Sequence, residues 1–123
     1  MARILLQPAP KTYHEALMNP LWQFMLHTYA QEGMKEHCLR LQNEQGQDVL
    51  LYLWQLWLKQ TRQSLPESQA LAPYLHWRDT VIVPLRQVRM SVRKDQEPLR
   101  AQLLQAELSA EQVGAQLLYQ LSS

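Results

Sequence analysis

From Asn19 onward the apolar positions recur at a helical period, and nowhere does the alternation of two that marks a half-buried strand persist. Leu21, Trp22, Phe24, Met25, Leu26 and Tyr29 follow Asn19-Pro20 at helical spacing. Asn is a favoured N-cap, and proline suits the next position because its missing N–H falls where a helix has no partner for one. Met34, Cys38 and Leu41 form a second stripe, with Lys35, Glu36, Arg40 and Glu44 around it. Gly33 closes the first helix or opens the second, and Gly46 ends the second in the left-handed conformation that glycine takes without steric cost. Asp48 caps a third helix. From Val49 to Leu58 that helix is apolar almost all round, so the segment of about residues 48–62 is predicted to run through the centre of the fold. Lys59 and Arg62 place cations at its C-terminal end, where the helix dipole favours them.

Beyond it the punctuation continues. Ser64 and Glu67 have capping-box spacing and predict a short helix to about Ala72, after which Pro73 breaks the chain. A longer helix is predicted from Tyr74 to Lys94, kinked near Pro84, which cannot donate to the carbonyl of Thr80. Asp95 to Pro98 is a turn. In the last helix Leu99, Leu103, Ala106, Ala110, Val113 and Leu117 step by four and three without slipping as far as Leu121. Ser109 with Gln112 is a competing cap, so a break there stays open. Residues 1–18 carry Pro8 and Pro10 and no continuing apolar period. They are expected to be a leader, mobile or loosely docked, with Thr12 and Glu15 able to cap one turn. The predicted fold is therefore all-α: one domain over 19–123, with five to six helices around the central apolar one.

Composition narrows the function classes. The 123 residues fit a single domain with a core of its own, and a net charge of +1 argues against a general polyanion binder. Val49–Leu58 is about half the length a membrane span needs, and Met1–Leu6 is cut off by Pro8 too early for a signal peptide. The lone Cys38 cannot form an internal disulfide, which fits a reducing compartment. A protein free of membrane contact and cytoplasmic is expected.

The chemistry-bearing residues are few. On the Trp77–Lys94 helix, Trp77, Val81, Leu85, Val88 and Val92 share one arc, and Arg78, Arg86, Arg89 and Arg93 share the arc beside it. Guanidinium groups in a row grip phosphates or carboxylates bidentately, so the stripe is a candidate binding face for RNA, a phosphorylated ligand or an acidic protein surface. The plainer reading is a solvated face whose arginines pair with Asp79, Asp95 and Glu97. His14, His27, His37 and His76 form no i, i+3 or i, i+4 pair, and no metal or cofactor is implied. Cys38 lies on an apolar stripe and reads as a buried, inert thiol. No nucleophile–base arrangement, glycine-rich phosphate loop or paired carboxylate in an apolar setting stands out, and the enzyme question leans to no.

The order Leu21-Trp22-x-Phe24, Tyr29-Ala30, Cys38-Leu39-x-Leu41-Gln42, Gly46-x-Asp48-Val49 and Leu53-Trp54-x-Leu56-Trp57-Leu58, with Trp77-Arg78, Pro84-Leu85-Arg86 and Arg89, resembles an uncharacterised bacterial family of short helical proteins labelled a domain of unknown function. The resemblance covers about residues 19–121. It implies no activity and no site residue. It does imply a genomic neighbourhood with a ribosome-associated ABC-type ATPase, which bears on pathway and not on chemistry. The segment before Asn19 departs from the family.

Two functions follow as expectations. The first is a non-catalytic binding or adaptor protein that meets a protein, RNA or ribosome-associated partner through Arg86, Arg89 and Arg93, with Arg78 structural or peripheral. The alternative is a small-molecule-binding protein or enzyme with a cleft lined by Trp54, Trp57, Trp77, Gln55, His76 and Arg78. A homodimer through the last helix is compatible with either.

Overall fold

Helices begin where the side chains supply caps. In the computed structural model, which describes residues 12–121, the Thr12 side chain accepts from the N–H of Glu15 and opens α1 (Tyr13–Leu17). The expectation for the leader before Thr12 lies outside the described residues. Asn19 accepts from the N–H of Trp22 at 2.8 Å and opens α2 (Pro20–Tyr29). Gly33, at φ 81°, opens α3 (Met34–Gln45), and Gly46, at φ 62°, ends it. Asp48 accepts from the N–H of Leu51 at 3.1 Å and opens α4 (Val49–Gln60). Each of these start signals is the one read from the chain.

The middle segment differs. Ser64 and Glu67 form no cap, and Ser68–Leu71 is a 3₁₀ turn that runs directly into α5 (Ala72–Trp77). Pro73 sits in the first turn of α5 and so begins that helix instead of breaking the chain, because its absent N–H belongs to the set that has no intrahelical partner. The rod continues through a π-helical turn, Arg78–Ile82, into α6 (Val83–Ser91). It stops three residues short of Lys94, where Val92 turns extended at φ −90°, ψ 132°. After a turn with a cis Glu97–Pro98 bond, α7 (Leu99–Tyr119) runs unbroken past Ser109.

The fold is a single all-α bundle, and no strand occurs among the described residues. α4 contributes the largest share of the apolar interior, with Leu50, Leu53, Trp54, Trp57 and Leu58 buried. α7 is much less apolar, yet it packs on α1, α2, α4, α5, the π turn and α6. Small residues permit this. Ala110, Gly114 and Ala115 are buried on α7, and the Trp77 Nε1–H donates to the Ala110 carbonyl at 2.8 Å. Asn19 binds Gln116 at 2.8 Å, and Gln112 donates to the Leu17 carbonyl at 2.9 Å, so α1 and the start of α2 are fastened to α7. The α3 helix packs on its chain neighbours α2 and α4, and Cys38 is its one buried residue. Among the described residues no helix is long and apolar enough to cross a membrane.

Gly114 is the closest approach in the bundle. A Cβ there would lie 3.1 Å from the Tyr74 ring, 3.2 Å from Ile82 Cδ1 and 3.4 Å from Leu50 Cδ1. Tyr74 and Ile82 are themselves fully buried and have nowhere to retreat. Replacing Gly114 with Val is therefore expected to overpack the junction of α4, α5 and α7 and to cost about 1–3 kcal/mol. Thermal unfolding measures this, and an unchanged midpoint would refute the close packing.

Candidate functional site

The site is set up by the way the α5–α6 rod absorbs a proline. Pro84 has no N–H to offer, and in an uninterrupted α-helix its ring would press on the carbonyl of Thr80. The turn before it widens: the N–H of Val83 reaches back five residues to the Arg78 carbonyl. The Thr80 hydroxyl donates to the His76 carbonyl at 2.7 Å within the same stretch. A widened turn shifts the helix face for everything that follows. The inward positions become Tyr74, Arg78, Ile82, Arg86 and Arg89, and all five line one cleft. Val88, expected on the inward apolar arc, is instead half exposed.

That cleft has a volume of about 870 Å³, within the range of small-molecule sites. One wall comes from α2, α3 and the start of α4, and the other from the α5–α6 rod and α7. Behind its surface lie the core side chains Trp22, Met25, Cys38, Leu50, Leu53 and Ile82, each at most 9% exposed. Leu26, Leu39, Leu104 and Leu108 also line it and remain exposed.

Two ionic groups stand on the rod side. In the first, Asp48 accepts from the Tyr74 hydroxyl at 2.8 and 3.0 Å, from Arg78 Nη1 at 3.2 Å and from the Leu51 N–H. Arg78 also gives its Nε–H to Asp79 at 2.9 Å. Burial, and then the charge of Asp48, push the Tyr74 phenol far up, so it stays a donor. This group is well satisfied and ties the start of α4 to the rod.

The second group is less finished. Glu107 is buried, 5% exposed, and takes the Nε–H of Arg86 at 3.1 Å and the Nε–H of Arg89. Arg86 reaches Glu111 through Nη2 at 3.4 Å. Glu111 lies one turn beyond Glu107 on the same face of α7. Burial first, and then the neighbouring Glu107 charge, raise its carboxyl to about 7 against the pull of Arg86 and Arg89. Among the described residues Arg89 gives only its Nε–H, so both of its Nη groups keep their donors, as does Nη1 of Arg86. The second group therefore offers guanidinium donors and a carboxyl that can hold or release a proton near neutrality, against an apolar floor.

The residues singled out from the chain divide accordingly. Arg78, Arg86 and Arg89 come together on the cleft, while Arg93 lies beyond the helix end, 73% exposed, paired with the equally exposed Asp95. Asp79 and Asp95 take Arg78 and Arg93, as the solvated-face reading expects, but Arg86 and Arg89 turn inward to Glu107 and Glu111 instead of toward Glu97. Of the alternative cleft set, only Arg78 lines the cleft. Trp54 and Trp57 are core, Trp77 is bound to Ala110, and Gln55 and His76 are exposed. Cys38 is fully buried, and burial raises its thiol, as fits an inert side chain. Among the described residues no group of His, Cys, Asp and Glu is arranged to hold a metal. Glu107 and Glu111 were not anticipated. Their signal was an acidic i, i+4 pair interrupting the small-residue face of α7, opposite the i, i+3 pair Arg86 and Arg89.

Residues 20–118 match the family described as "Protein of unknown function (DUF2390)", and the chain belongs to that family. The matched span takes in every residue on which the resemblance was drawn. No curated protein and no solved structure matches the chain.

Glu111 makes stability depend on pH. Between an unfolded value near 4.5 and a folded value of about 7, the native chain keeps a proton that the unfolded chain has lost. Its contribution to stability therefore falls as pH rises through that window and levels off above it, by at most about 3 kcal/mol. Urea unfolding at about pH 5 and about pH 8 is expected to show Glu111→Gln gaining on the parent chain at the higher pH. Parallel behaviour of the two proteins would show that Glu111 ionises normally.

Proposed function

We propose that this DUF2390 protein is a non-catalytic binding protein that takes a small molecule into the cleft between α2–α4 and the α5–α7 side. The observation that carries the reading is the Arg86–Glu107–Arg89–Glu111 group on the wall of an 870 Å³ cleft with an apolar floor. Glu107 is buried and its partners are half-buried, and charges drawn this far out of water are weak contributors to stability; apolar residues of the same volume serve a fold at least as well. Perturbed ionisable groups concentrate where a protein recognises something, and this group borders the cleft. The unpaired, buried Cys38 fits a cytoplasmic setting.

A macromolecular partner gripped by the arginine stripe has less support. Of its four arginines only Arg93 is largely exposed, and Arg86 and Arg89 are held to α7. Reversing Arg86 and Arg89 to Glu would gather four carboxylates at one buried point, so the fold is not expected to survive that substitution and it cannot report on a partner. Arg93→Glu with Lys94→Glu leaves the bundle intact and tests the surface reading instead.

The cleft reading is tested by thermal shift against metabolite fractions from the native host. A ligand at a hundred times its Kd stabilises by about 2.7 kcal/mol. At least one fraction is expected to raise the unfolding midpoint of the parent chain and to lose that effect on Leu39→Trp, which fills the exposed rim without touching the ionic wall. An equal shift in the Leu39→Trp chain, or none with any fraction, overturns the assignment.

A further inference from the structure

The two guanidinium groups of the second ionic cluster are held from behind. Buried Glu107 takes one Nε–H from each, leaving Nη donors of both side chains without acceptors among the described residues. Glu111 meets this cluster through Arg86 Nη2 alone, and it holds that group loosely. Its 3.4 Å separation from Arg86 Nη2 is well beyond the roughly 2.8 Å of a charge-assisted bond. The groups that face Glu111 are Arg86 and Arg89 from α6, Glu107 from its own helix, and the phenols of Tyr29 from α2 and Tyr74 from α5. A few side chains away on the same cleft lie Trp22, Met25 and Leu53, and the exposed leucines stand at the rim. A loosely held carboxyl of the protein thus occupies the place that suits a carboxylate, at the edge of an apolar surface.

We propose that the ligand of this cleft is an amphipathic carboxylate, an acyl chain or apolar ring ending in one carboxylate, whose head group displaces Glu111 from Arg86 and seats against Arg86 and Arg89 while its body lies along the exposed leucines Leu26, Leu39, Leu104 and Leu108. The inference rests on the cleft reading and adds the ligand class to it. Charge balance supplies the coupling. Arg86, Arg89, Glu107 and an ionised Glu111 sum to zero, and a bound carboxylate would leave the buried group at minus one. Protonation of Glu111 restores neutrality, so one carboxylate and one proton from solvent enter together. Planar forks of guanidinium donors also match a carboxylate in geometry, which a neutral head group does not exploit.

Isothermal titration of the full chain with decanoate, decanol and acetate tests this. Decanoate is expected to bind at least about tenfold more tightly than either of the others, since only it offers both the chain and the charge. Its affinity is expected to fall by up to about tenfold per pH unit as pH rises above about 7, because the proton taken up by Glu111 must come from an increasingly alkaline solvent. Glu111→Gln should bind decanoate with little pH dependence, and Arg89→Gln should weaken decanoate while leaving decanol unchanged. Decanol binding as tightly as decanoate, and lost equally on Leu39→Trp, would overturn the head-group assignment and leave the cleft reading standing. Tight decanoate binding with a flat pH profile in the parent chain would overturn the displacement of Glu111. If none of the three binds while a metabolite fraction still shifts the parent chain, the ligand class is wrong and the cleft is right.

Discussion

Pro84 lacks an N–H, and its ring cannot pass the carbonyl four residues earlier in an α-helix of ordinary pitch. The chain answers with one wider turn over Arg78–Ile82. From that turn follows the face that α6 shows to the rest of the bundle, and with it the position of Arg86 and Arg89. At ordinary pitch throughout, the arginines would lie beside an inward apolar arc that includes Val88. With the wide turn, Val88 is exposed and the arginines lie against α7. Wide turns of this kind are concentrated at functional sites, where they re-aim side chains that a regular helix would present elsewhere.

The partners waiting on α7 give the placement its meaning. Two ionic groups share the cleft wall and differ in completeness. Asp48 has three donors and a structural task, capping α4 and anchoring Tyr74 and Arg78. Glu107 and Glu111 carry two arginines between them, and Glu111 is left weakly held and pushed toward its neutral form. A buried group that is neither fully satisfied nor replaced by apolar packing costs stability. Its position beside an open apolar cleft supplies the functional interpretation.

The bundle around the cleft has an uneven build. Most of the elements converge on α7, which Gly114 allows to approach Tyr74 and Ile82 closely. In contrast, α3 is bounded by two left-handed glycines, packs on α2 and α4, and buries only Cys38. The cleft therefore has one heavily braced wall that carries Arg78, Arg86, Arg89, Glu107 and Glu111, and one wall, partly formed by α3, that contributes Lys35, Leu39 and Gln42. The guanidinium groups of Arg86 and Arg89 stand on the braced side and are oriented by Glu107, which is itself packed.

Much of the fold was legible because its signals are local. Asn19-Pro20, Gly46 and Asp48 mark helix ends through bonds to residues within one turn, and the apolar run from Val49 to Leu58, interrupted only by Gln55, identifies a core helix whatever surrounds it. The exceptions were local competitions read the wrong way, as at Pro73, which the position in the first turn of α5 makes a helix starter. The site was only partly legible. The arginines were visible by spacing, but their direction depended on a π turn that no periodicity announces, and the Trp54, Trp57 and Trp77 cleft was drawn from residues that the core had already claimed. Sequence alone determined the helices, their caps and the apolar centre, because those depend on contacts a few residues apart. Which carboxylates meet Arg86 and Arg89, how far Glu111 is pushed, and where the cleft opens were decided only in the tertiary structure, because they join α6 to a helix some twenty residues further along the chain.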